Sequence, residues 1–205
     1  MTKGRPRGSG GKARVLCKKE IEVAISAIKS PYIGGRYSLR NSAILATSYY
    51  LGLRAKELAG LKVGDVWNAS GEIDKEIQLT VTKGSKPRII YIPDLLREIF
   101  KAYILDRIVN SPVLIGYKSP LFNSQKGSSF SANTMQSLLK RLFMKCALEG
   151  CSSHTGRRSF ATRLIEEGAD IKAVSTLMGH SSINMTAKYV EDNPERLRSM
   201  LNKML

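Results

Sequence analysis

A mainly helical α+β domain with one small antiparallel sheet is the fold class this sequence predicts. Three observations lead there. Most of the chain beyond residue 16 repeats its apolar residues at helical spacing. One pair of segments, Glu76–Thr82 and Arg88–Ile92, instead alternates with period two on either side of Lys83-Gly84-Ser85-Lys86. The 205 residues show no internal repeat and suffice for one well-filled core.

Residues 1–15 stand apart as a basic arm. Lys3, Arg5, Arg7, Lys12 and Arg14 sit among glycines and Pro6 with no acidic residue, so this stretch buries no apolar surface and is expected to be flexible. Gly4-Arg5-Pro6-Arg7 is similar to the core of an AT-hook, which would lay Arg5 and Arg7 in an A·T-rich minor groove. A nonspecific phosphate-binding tail is the plainer reading. The folded unit is expected over 16–205.

Its first helix runs from Lys18 to Ile28 with Ile21, Ile25 and Ile28 on one face. Pro31, Gly34 and Gly35 break it, and Ser38 caps an apolar helix to Leu53. A short helix spans Lys56–Leu61, and the hairpin follows. Pro93–Ile108 is amphipathic, with Leu96, Ile99, Phe100 and Tyr103 on one face. Ser131 opens a helix to Ala147, and Arg157–Glu167 stops at Gly168. Asp170–Met178, Ser182–Val190 and Pro194–Leu205 complete the series, the last with a Leu197, Met200, Leu201 and Met204 stripe read as core or interface.

The formal net charge of +16 suits a polyanionic partner, since neutralising phosphates releases condensed counterions. Charge alone leaves a ribosomal or merely basic protein open. Cys17, Cys146 and Cys151 are odd in number and widely spaced, which fits a reducing cytoplasm better than a disulfide framework. Cys146, Cys151 and His154 lack a fourth ligand for a metal, and buried thiols are the better reading. No apolar run approaches the about 18 residues of a membrane span, and no hydrophobic stretch follows the basic start as in a signal peptide.

The chemistry concentrates in three segments. Gly52-Leu53-Arg54 leads to Glu57; His154 precedes Arg157 and Arg158; Gly179-His180 is followed nine residues later by Tyr189. The two histidines of the chain are both in this set. Cleaving a phosphodiester without a metal calls for guanidiniums on the nonbridging oxygens, imidazoles to donate and move protons, an acid for the leaving oxygen, and a nucleophile. A tyrosine nucleophile holds the phosphate covalently and conserves the bond energy for rejoining. Each group has an ordinary reading too. Arg54 with Glu57 makes a salt-bridged helix turn, His154 a helix start, and Tyr189 a core aromatic. Taken singly those readings win; together, in order and in register, they lose.

These segments, with Thr82-Lys83-Gly84-Ser85-Lys86-Pro87-Arg88 between them, resemble the catalytic domain of the tyrosine recombinase (phage integrase-like) family from about residue 17 onward. The resemblance implies that fold and a site-specific DNA recombinase that cleaves and rejoins strands through a 3′-phosphotyrosyl link. The task would be integration, excision or inversion of a mobile element. It implies Arg54 and Arg157 on the scissile phosphate, His154 in proton transfer, His180 hydrogen-bonding the phosphate, Lys83 as general acid and Tyr189 as nucleophile. Glu57 would support a cationic group from behind, while Lys86 and Arg158 join Arg5 and Arg7 as expected DNA contacts. No metal and no cofactor is expected. The expected partners are double-stranded DNA bearing recombination sites, further copies forming a homotetramer on synapsed DNA, and accessory DNA-bending proteins, in the cytoplasm with the nucleoid.

The chain departs from the family pattern at Gly156, usually leucine, and Arg158, often histidine; Gly156 is expected to loosen the start of its helix. The family's common N-terminal clamp domain is not expected in this chain, and the resemblance is to short, single-domain members. A type IB topoisomerase-like enzyme and a non-catalytic DNA-binding regulator remain the competing readings.

Overall fold

The computed structural model describes residues 13–80, 86–110, 114–189 and 202. The chain forms α1 (Lys18–Lys29), α2 (Pro31–Gly34), α3 (Ser38–Tyr50), α4 (Ala55–Gly60), β1 (Glu76–Leu79), β2 (Arg88–Tyr91), α5 (Asp94–Asn110), α6 (Ala132–Lys145), α7 (Thr155–Glu166), α8 (Ile171–Met178) and α9 (Asn184–Ala187). The expected mainly helical fold with a small antiparallel sheet is the one observed. Its two strands pair from Glu76↔Tyr91 to Leu79↔Arg88. The expected turn at Lys83–Ser85 and most of the C-terminal helix lie outside the described residues.

Helix α3 is the axis of the fold. It packs against α1, α5, α6 and α7, and every residue from Arg40 to Tyr50 is buried. It ends three residues before the expected Leu53 because Gly52 adopts φ +60° and turns the chain. Ser38 does not cap it: the N-cap is Tyr37, and Ser38 is the first helical residue. The Pro31–Gly35 break is itself helical, one α-turn running into a 3₁₀ turn at Gly35–Tyr37, because Pro31 fits the first turn without needing its missing N–H. Ser131 and Asp170 do act as caps, accepting from the amides of Thr134 and Ala173. The expected Ser182–Val190 helix is a single turn, α9, followed by a turn at Lys188 and Tyr189.

Most of the apolar core, from Leu16 to Cys151, is one cluster around α3. A smaller cluster of Phe160, Ala161, Ile165, Val174 and Met178 joins α7 to α8, with Tyr189 packed on its edge. The three thiols are free; Cys151 is buried, Cys146 half-buried and Cys17 exposed. Among the described residues, contacts with the body already include Ala13 and Arg14, ahead of the boundary expected at residue 16. Arg158 donates to the Ala13 carbonyl at 2.9 Å, the Arg14 amide to Gly150 at 3.1 Å, and the Leu16 amide to Ser159 Oγ at 2.8 Å.

Candidate active site

Four stretches of chain come together around Glu57 and its arginines. The turn at Gly52 delivers Arg54 to the N-cap of α4, where its backbone N–H donates to Glu57 Oε2 at 2.7 Å and its guanidinium to Oε1 at 3.3 Å. From β2, Arg88 meets the same carboxylate with both terminal nitrogens, at 2.9 and 3.0 Å. From α7, Arg157 Nη1 stands 3.9 Å from Glu57 Oε2. Arg157 is buried and fixed by the backbone: Nη1 donates to the Gly52 carbonyl at 2.7 Å and Nη2 to that of Met178 at 2.6 Å.

Two glycines permit this closeness. A Cβ on Gly156 would lie 2.3 Å from Ser48 Oγ and 2.7 Å from the Ser48 carbonyl carbon. Gly156 therefore does not loosen the start of α7, as its sequence position suggested; it lets that helix seat against α3. A Cβ on Gly52 would lie 2.5 Å from the Phe160 ring, so α7 covers the turn that carries Arg54.

Helix α8 supplies the fourth stretch. Gly179 takes a left-handed conformation at its end, and the amides of Gly179 and His180 return to the carbonyls of Thr176 and Ser175. The next two carbonyls, of Leu177 and Met178, accept from Arg88 Nε at 2.7 Å and Arg157 Nη2 at 2.6 Å. Guanidiniums thus cap the negative end of α8 and fix the step to His180. His180 is buried, with Nδ1 2.7 Å from Thr186 Oγ1, and its ring lies parallel to that of Tyr189 with centroids 6.3 Å apart.

Burial alone would raise the Glu57 carboxyl, but the Arg88 hydrogen bonds, the Arg54 amide and the charges of Arg88 and Arg157 outweigh it and hold it at about 2. Burial, and then the charge of Arg54, lowers Arg157 to about 10 against the pull of Glu57; it stays charged at neutral pH. Burial and the three surrounding arginines lower His180 to about 4, so its imidazole is neutral at pH 7. Among the described residues, three guanidiniums stand against one carboxylate, which leaves an electropositive site suited to an oxyanion.

Of the residues singled out in the sequence, Arg54, Glu57, Arg157, His180 and Tyr189 come together. His154 is exposed at the N-cap of α7, three positions before Arg157, and outside the hydrogen-bonded cluster. Lys86 is exposed two residues ahead of β2. Arg158 is half-buried and holds the Ala13 carbonyl, so at least one of its donors is committed within the fold. Lys83, Arg5 and Arg7 lie outside the described residues.

Two site residues escaped the sequence reading, Arg88 and Thr186. The period-two pattern carried a signal for the first: Arg88 shares its phase with the buried Ile90 and Ile92, while Ile89 and Tyr91 face outward. Nothing local marked Thr186. Among the described residues no three His, Cys, Asp or Glu side chains gather as for a metal. A hollow of about 730 Å³ at the other end of α3, lined in part by Arg36, Arg40 and Arg107, contains none of the site.

The sequence profile of the phage integrase family matches residues 14–196. Tyrosine recombinase XerD of Corynebacterium glutamicum is 33% identical over 187 residues, covering 90% of this chain and 59% of that protein. The chain spans about three-fifths of the length of the curated relatives it matches. The structure of XerH site-specific recombinase bound to its palindromic difH substrate superposes with a TM-score of 0.72 at 24% identity, covering 94% of this chain and 53% of that one. The catalytic domain of bacteriophage HP1 integrase matches with a TM-score of 0.60 at 21% identity over 93% of this chain and 95% of that domain. At such identities the two structures establish the fold.

Proposed function

This chain belongs to the phage integrase family, and on that premise we propose that it is a site-specific tyrosine recombinase acting on double-stranded DNA. The observation that carries the reading is the convergence of Arg54, Arg157, a neutral buried His180 and Tyr189 around the Glu57–Arg88 pair. A guanidinium has five N–H donors, and Arg157 gives two to backbone carbonyls, leaving others for a phosphate. Arg54 and Arg157 hold the nonbridging oxygens and neutralise the charge that grows on them in the transition state. His180 donates to one of these oxygens.

The Tyr189 oxygen attacks phosphorus, His154 taking part in removal of its proton. A 3′-phosphotyrosyl bond forms as the bond to the 5′-oxygen breaks, and Lys83 supplies the proton that oxygen needs. Attack by a 5′-hydroxyl of the partner strand reverses the step and frees Tyr189. One phosphodiester is exchanged for another, so no external energy source enters.

The same reading makes residues 1–15 an electrostatic arm on DNA, with Lys86 as a further DNA contact, and residues 16–205 the catalytic domain. The working assembly is a homotetramer on two synapsed sites, acting in the cytoplasm at the nucleoid to integrate, excise or invert a mobile element. Among the described residues no helix is long and apolar enough to cross a membrane.

The test is trapping on nicked DNA carrying the element's junction, without metal, read on a denaturing gel. A covalent band that disappears in Tyr189→Phe is the expected result. Tight binding with no adduct would overturn the enzyme reading in favour of a DNA-binding regulator.

A further inference from the structure

Thr186 on α9 is fully buried, and its hydroxyl lies 2.7 Å from His180 Nδ1. A buried hydroxyl proton needs an acceptor. Elsewhere in this fold helical hydroxyls return theirs one turn back: Thr47 to the Ala43 carbonyl, Ser159 to Thr155, Thr176 to Lys172. Thr186 makes no such bond, and among the described residues the His180 ring nitrogen is its hydroxyl's partner.

A neutral imidazole carries one N–H and one lone pair. With the proton on Nδ1, the ring would donate to the threonine oxygen and strand the hydroxyl proton in a buried site. With the proton on Nε2, the hydroxyl donates to the Nδ1 lone pair and both groups are satisfied. The surroundings keep the ring neutral: burial first, and then Arg157 from α7, Arg54 at the start of α4 and Arg88 from β2, oppose a positive charge, against Glu57 of α4, with the Tyr189 ring alongside.

We propose that Thr186 is a positioning residue that donates to His180 Nδ1 and so holds the imidazole as its Nε2–H tautomer, a neutral donor to the oxyanion at the site. The Thr186 carbonyl also accepts the Tyr189 amide at 2.9 Å, so one residue anchors both the imidazole and the turn that presents the phenol. The role toward an oxyanion rests on the strand-transfer reading; the tautomer does not.

The chain's two histidines make the test direct. In DNA-free protein labelled with ¹⁵N-histidine at pH 7, with His154→Gln to assign the two rings, His180 should show a bare Nδ1 and a protonated Nε2. Thr186→Ser should preserve that signature, and Thr186→Val, nearly isosteric but without the proton, should lose it. A protonated Nδ1 in the native chain, or an unchanged ring in Thr186→Val, would overturn the proposal. In the nicked-DNA assay Thr186→Val should slow adduct formation by roughly 10–100-fold, with Thr186→Ser restoring it. An absent native adduct beside an intact Nε2–H signal would sink the strand-transfer reading while supporting the tautomer lock.

Discussion

Arg88 decides how the other cations are spent. Its two terminal nitrogens satisfy Glu57, and so Arg54, at 3.3 Å, and Arg157, at 3.9 Å, are held near that carboxylate without being consumed by it. Removing one partner of a buried pair strands the other's charge, typically at about 3–5 kcal/mol. Arg88→Met should therefore destabilise the chain by about that much in denaturant unfolding. Glu57→Leu should cost at least as much, because it orphans the Arg54 amide and removes the carboxylate beside Arg157 as well as the partner of Arg88. An Arg88→Met chain as stable as the native one would show that the pairing carries no such weight.

The junction of α3 and α7 sets the geometry one level up. Arg157 follows Gly156, and Gly156 sits against the Ser48 backbone, so the depth of that contact fixes how far the guanidinium reaches toward Gly52 and Met178. Gly156→Ala puts a methyl 2.3 Å from Ser48 Oγ and 2.7 Å from the Ser48 carbonyl carbon. Overpacking of this kind costs roughly 1–3 kcal/mol. A loss of that size in unfolding experiments, with adduct formation reduced further than stability alone explains, is the expected outcome. Ser48→Ala should not rescue it, because backbone atoms also clash. At this scale α1 was readable because one face is apolar, whereas α3 is buried all round and its pattern could not mark where it stops. The stop came from the φ of Gly52. Gly156 was misread because a missing side chain looks permissive until the opposing helix is in view.

For the molecule as a whole, the charge of +16 is spread between a basic arm and the body. The described chain is already fastened at Ala13 and Arg14 to the 149–150 turn and α7, the helix that carries Arg157. The arm can therefore be removed without disturbing that attachment if the deletion stops at residue 12. Deleting residues 2–12 removes Lys3, Arg5, Arg7 and Lys12. Binding to duplex DNA should weaken, and the slope of log affinity against log salt should fall by up to about 3–4 as counterion release is lost. Fluorescence anisotropy across a salt series measures both, and unchanged affinity would remove the arm from the binding surface.

What the sequence by itself determined is the set of chemical groups and their local settings: Arg54 three residues before Glu57, His154 three before Arg157, Gly179 ahead of His180, and a pair of alternating strands. Those are short-range properties, legible from spacing and from the conformations that glycine and β-branched residues favour. Only the tertiary structure decided what each group is worth. Glu57 meets Arg88 across 31 positions, and Arg88 meets Leu177 across 89. The neutrality of His180 and the role of Thr186 follow from burial and from the field of arginines on distant segments. Protonation states and hydrogen-bond partners belong to the folded environment, and no window of sequence contains it.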